Sequence, residues 1–76
     1  ISFDLSERSV VTLTIYDAAT GQLVRKLVEG ESATAGIYQR TWDGRDNNGL
    51  KVASGVYIYQ LKAGKYTAKK KMTLLQ

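Results

Sequence analysis

Val11, Leu13 and Ile15 alternate with Thr12, Thr14 and Tyr16. Successive side chains of a β-strand point to opposite faces, so this run has one apolar face and one mixed face. β-Branched and aromatic residues fill both, which suits a pleated, half-buried strand. The same short period recurs along the chain, and no window longer than one strand keeps a helical period. Seven such runs stand between turn signals, at 1–5, 11–16, 22–28, 37–42, 50–52, 56–61 and 66–75. Regular short strands predict an all-β chain. The expected architecture is a two-sheet sandwich of the immunoglobulin or fibronectin-III-like type, with about seven antiparallel strands. A five-stranded OB-like barrel is the alternative.

The turns are marked by glycine, Asp and Asn. Gly21 closes the stretch after Asp17 and supplies the positive φ that a tight hairpin requires. Asp43-Gly44-Arg45-Asp46-Asn47-Asn48-Gly49 is the strongest turn signal, because Asp and Asn side chains bond nearby backbone N–H groups. Ser54-Gly55 and the segment 62–65 turn the chain again, and polar, small 29–36 reads as a loop crossing between sheets. The adjacent pairs Leu23-Val24 and Leu27-Val28 break the period, which a bulge or burial on both faces explains. The expected core is Phe3, Leu13, Ile15, Trp42, Tyr57 and Met72, with Trp42 as its central anchor. In the last strand Met72 and Leu74 should point inward while Lys69, Lys71 and Thr73 point out.

Seventy-six residues make one domain, 1–76. A chain this short buries only about 60% of its unfolded surface, so the core is thin. Its expected stability is about 4–11 kcal/mol. Cysteine is absent, which rules out disulfides and thiolate chemistry within the chain. Histidine is absent too, so a Ser-His-Asp arrangement is impossible. The chain is expected to be no enzyme and to need no cofactor. No apolar run reaches the roughly 18 residues of a membrane span, and no signal peptide is visible. It reads as the C-terminal part of a longer protein whose export signal would lie upstream. The formal charge of +4 is unevenly placed: residues 47–76 carry six lysines and no acid, while all seven acids lie before them. That polarity suits an anionic contact surface.

Asp43, Asp46, Asn47 and Asn48 are oxygen-rich, as a calcium site is, but their spacing does not follow the EF-hand pattern, and a self-bonded loop accounts for them. Lys62, Lys65, Lys69, Lys70 and Lys71 with Tyr57, Tyr59 and Tyr66 have the residue types of a nucleic-acid surface. Lysines on an edge strand equally prevent strand-to-strand aggregation, so no nucleic-acid partner is expected. Tyr16, Tyr38, Tyr57, Tyr59 and Trp42 would form a sugar platform if two or more rings were coplanar and exposed. Asp43 and Asp46 as a glycosidase pair would need a cleft that a turn does not offer.

Val11-Thr12-Leu13-Thr14-Ile15-Tyr16-Asp17, Gly21, Val24 and Leu27, followed by Ala35-Gly36, Trp42-Asp43-Gly44-Arg45-Asp46, Gly49, Ser54-Gly55-Val56-Tyr57, Tyr59 and Lys71-Met72, resemble the FlgD-like immunoglobulin domain over nearly the whole chain. The family is named for the flagellar hook-capping protein. It is similar to the C-terminal sorting domains read by type IX secretion. The resemblance implies a non-catalytic structural or attachment module of an exported bacterial protein, secreted or at the cell surface, or its C-terminal sorting domain; a flagellar hook-cap domain and a carbohydrate-binding accessory module are the alternatives. Its implied partners are other domains of the parent chain and secretion or cell-surface machinery. The sequence departs from the family pattern in two places. The Pro-Asn-Pro-Phe-like stretch that usually precedes the first strand is missing, and Arg40 stands where an aliphatic core residue is expected.

Overall fold

The computed structural model describes residues 1–76. The strands are β1 (Ser2–Leu5), β2 (Ser9–Asp17), β3 (Leu23–Ala33), β4 (Gly36–Gln39), β5 (Gly55–Ala63) and β6 (Tyr66–Leu74). All pairings are antiparallel. One sheet has the order β3-β2-β5-β6, and a smaller one pairs β1 with β4. The architecture is an immunoglobulin-like sandwich of six strands, not seven. Leu50–Val52, read as a strand, contributes only an isolated bridge between Arg45 and Lys51. It is held to the preceding turn by backbone bonds, Asp46 N–H to Leu50 O and Val52 N–H to Gly44 O, and by Leu50 N–H donating to Asp46 Oδ1.

The alternating run of β2 forms the centre. Val11, Leu13 and Ile15 are buried, Leu13 and Ile15 completely. Each such side chain contributes about 1.5–3 kcal/mol of apolar burial. Across the ladder, Leu13 stands opposite Leu61, and Val11 opposite Ala63, so both strands bury the same face. Leu5, Val11, Leu13, Val28, Leu61 and Ala63 form one cluster, with Ile1, Phe3, Leu27, Ala33, Tyr38 and Tyr59 packed against it. Phe3 is therefore half-buried rather than central. It stacks on Tyr38, directly opposite across β1–β4, with centroids 5.4 Å apart and planes at 14°.

The irregular period of β3 comes from bulges. Leu13 pairs with Val28 and Thr14 with Lys26, leaving Leu27 extra; Ile15 pairs with Arg25 and Tyr16 with Leu23, leaving Val24 extra. A third shift lies at Gly30, whose φ of 61° only glycine adopts without strain. Beyond it the chain pairs again with Ser9–Val11, so 29–33 is strand rather than the expected loop. β4 ends at Gln39, earlier than expected, although Arg40 still exchanges two backbone bonds with Ile1.

Candidate functional site

The long segment between β4 and β5 is built on side-chain-to-backbone bonds. Asp46 Oδ1 accepts from the N–H groups of Asn48 and Leu50 at 2.9 and 3.0 Å. Asp43 Oδ1 accepts from Arg45 N and from the Arg25 guanidinium, both at 3.1 Å. Asn47 fastens the segment to β3 in both directions: its N–H donates to Val24 O, and its Oδ1 accepts from Lys26 N. Both carboxylates thus serve as turn acceptors, the chemistry that Asp and Asn bring to such loops. Gly49 has the positive φ this path requires, and Gly21 does the same for the β2–β3 turn.

Trp42 lies beside this loop and is half-buried, not the core's central anchor. Its Nε1–H donates to Arg45 O at 2.9 Å, and its ring meets Tyr57 edge-on with centroids 5.1 Å apart. Trp42 lies past the Arg40–Ile1 pair, and Tyr57, which it touches, stands opposite Asp17 at the last position of β2, so the indole closes one end of the sandwich. Tyr57 is buried, and its hydroxyl donates to Ala53 O at 2.6 Å. Burial, with the Asp17 carboxylate nearby, raises its pKa above the ordinary tyrosine value. Gln76 was not singled out by the sequence. Its Nε2 donates to Gly44 O and Val52 O, both at 3.0 Å, and its N–H to Ser54 Oγ at 2.8 Å. No local pattern marks a terminal glutamine for that role.

β6 pairs with β5 in one uninterrupted nine-residue register. Lys69 and Lys71 stand opposite Gln60 and Ile58 on the sheet's outer face, both exposed and neither in an ion pair. Lys70 alternates to the inner face, opposite Tyr59. Met72 and Leu74 share that inner side, but at a sheet edge they are only half-buried, so Met72 is a rim residue of the core. The lysines and tyrosines of the nucleic-acid reading therefore divide between two faces, and Tyr57 is buried among them.

The rings of the sugar-platform reading are also separated. Tyr16 faces outward on β2, Tyr38 stacks on Phe3, and Tyr57 abuts Trp42. Arg40 is half-buried at the end of the small sheet. Its guanidinium lies 5.9 Å from the Tyr38 ring centroid and donates to Gln39 O. The aliphatic stem takes the expected inward place while the charge stays at the edge.

The two-stranded sheet covers only part of the four-stranded one. Between the unpaired side of β1 and the inner face of β5 and β6 runs a groove of about 190 Å³, with Tyr59, Leu61, Ala68 and Lys70 along it. A wider open recess continues past the β1–β2 turn to Lys65 and Tyr66. No helix of the chain is long and apolar enough to cross a membrane.

The profile of the FlgD Ig-like domain matches residues 1–69. No curated protein and no solved structure matches the chain.

Proposed function

Because the chain belongs to the FlgD Ig-like domain family, a structural and non-enzymatic family related to the flagellar hook cap, we propose that it is an attachment module of an exported bacterial protein. In this reading the parent protein is secreted or displayed at the cell surface, and the domain serves as its C-terminal sorting and anchoring element. Its partners are other domains of the parent chain and the secretion or cell-surface machinery. The observation that carries the reading is the outer face of β6, where Lys69 and Lys71 stand exposed and unpaired on a strand whose inner face carries the half-buried Met72 and Leu74. One strand thus holds the fold and presents a cationic contact.

The test is Lys69→Gln with Lys71→Gln in the parent protein. Exposed substitutions usually change stability by less than about 0.5 kcal/mol, so the domain should remain folded. Surface delivery or partner capture should fall. Unchanged delivery by a variant shown to be folded would reduce these lysines to edge protection and solubility.

A further inference from the structure

Three strands besides β1 leave an edge open, and they differ in what they offer. β3 is interrupted by three register shifts, and bulges of this kind spoil an edge as a template. β6 is regular but carries three consecutive lysines, another device against unwanted pairing. β4 is four residues long and leaves Ile37 exposed, opposite Asp4 on the outer face of the small sheet. β1 is different, because its open side faces a groove.

The ladder determines which groups face it. Ile1 and Arg40 exchange both backbone bonds, at 2.8 and 2.9 Å, so they form a hydrogen-bonded pair. In an antiparallel ladder such pairs alternate with non-bonded ones. Phe3–Tyr38 and Leu5–Gly36 are then the next bonded pairs in the register, and Ser2–Gln39 and Asp4–Ile37 the non-bonded ones. The N–H and C=O groups of Ser2 and Asp4 consequently point away from β4, toward the groove. Both residues are exposed and line it. Four backbone groups in register are a template for one more strand.

The groove floor specifies the strand's side chains. Tyr59, Leu61 and Ala68 present an apolar surface, and Lys70 is an exposed cation on the same face with no acidic partner. A strand lying about 4.8 Å beyond β1, with sheets about 10 Å apart, drops alternate side chains onto this floor. We propose that the open edge of β1, over Tyr59, Ala68 and Lys70, is a strand-addition site for an extended segment of another protein that alternates apolar and acidic residues on its inward face. This goes beyond the attachment reading and does not involve Lys69 or Lys71, which lie on the opposite face.

The probe is the peptide acetyl-Thr-Val-Thr-Glu-Thr-Val-Thr-amide, whose side-chain order is the same in both chain directions. It is titrated into the 76-residue chain under two-dimensional amide NMR. Shifts are expected at Ser2, Asp4, Tyr59 and Ala68, with slowed exchange of the Ser2 and Asp4 amides. Lys70→Glu should weaken binding about tenfold, as expected for losing one charge-assisted contact. A peptide with Lys in place of Glu should restore it on that variant, and Lys69→Glu should leave it nearly unchanged. Retained amide dispersion verifies that each variant is folded. The proposal is overturned by no response at Ser2 and Asp4 with millimolar peptide, or by binding lost in Lys69→Glu but not in Lys70→Glu. It is also overturned if these amides are already protected without peptide. Protection that grows with concentration would assign the edge to a second copy; protection in the parent protein alone would assign it to that chain's own flanking segment.

Discussion

Trp42→Ala separates two views of the small core. A fully buried tryptophan truncated to alanine costs about 3–5 kcal/mol. Trp42 is half-buried, which reduces the transfer part to roughly half of that. The edge-on contact with Tyr57 adds about 0.5–1.5 kcal/mol, and the Nε1 bond to Arg45 O about 0.5–1.5 kcal/mol. These parts overlap in a truncation, so the expected loss is about 2–3 kcal/mol. In a domain of this size that lowers the melting midpoint by roughly 10–20 °C. Leu13→Ala, at a position with no exposure, should cost more, toward the upper end of about 2–5 kcal/mol. Trp42→Phe keeps an aromatic edge on Tyr57 and should lose only about 1 kcal/mol. Urea unfolding followed by far-ultraviolet circular dichroism measures all three, since the substitution removes the only tryptophan fluorophore. A Trp42→Ala loss below about 0.5 kcal/mol would show that the ring contributes no more than an ordinary surface residue. A loss equal to that of Leu13→Ala would refute its placement as an end closure and restore it as the core anchor.

Tyr57 is held neutral by burial, with the Asp17 charge acting in the same direction, so its folded pKa lies above the unfolded value of about 10. Its contribution is fully present below that unfolded value and is lost as pH rises through the folded one; urea midpoints should fall above about pH 10, and Tyr57→Phe should flatten that slope. Gly44 has φ 75°, and a Cβ there would lie 2.7 Å from Gln76 Nε2. Gly44→Ala should therefore cost about 1–2 kcal/mol in backbone strain plus the clash; on a Gln76→Ala background, which already lacks the two Nε2 bonds, the same change should cost the strain alone, as read from thermal melts. Deleting Met72–Gln76 removes the ladder opposite Gly55–Tyr57, two half-buried side chains and the Gln76 clamp. The shortened chain should lose its amide dispersion, and a dispersed spectrum would show that the final strand is dispensable.

Local pattern was enough for the all-β class, the burial of Leu13 and Ile15, the turn at Gly21 and the outward register of Lys69 and Lys71. Each follows from the period of two or from the φ a single residue tolerates, and neither depends on distant chain. The oxygen-rich loop was legible for the same reason, because Asp46 bonds N–H groups only two and four residues away. Long-range pairing decided the rest. Residues 29–33 look like a loop but are strand because Ser9–Val11 lie beside them, and Leu50–Val52 look like a strand but have no long partner to pair with. Trp42 has a core residue's chemistry, yet the chain leaves the ladder before it can reach the centre. Ser2 and Asp4 belong to an alternating run and Lys70 to a run of lysines, but no local signal brings the three together. Their shared groove exists because a two-stranded sheet lies over a four-stranded one, and which strand is left at an edge is a property of the assembled sheets.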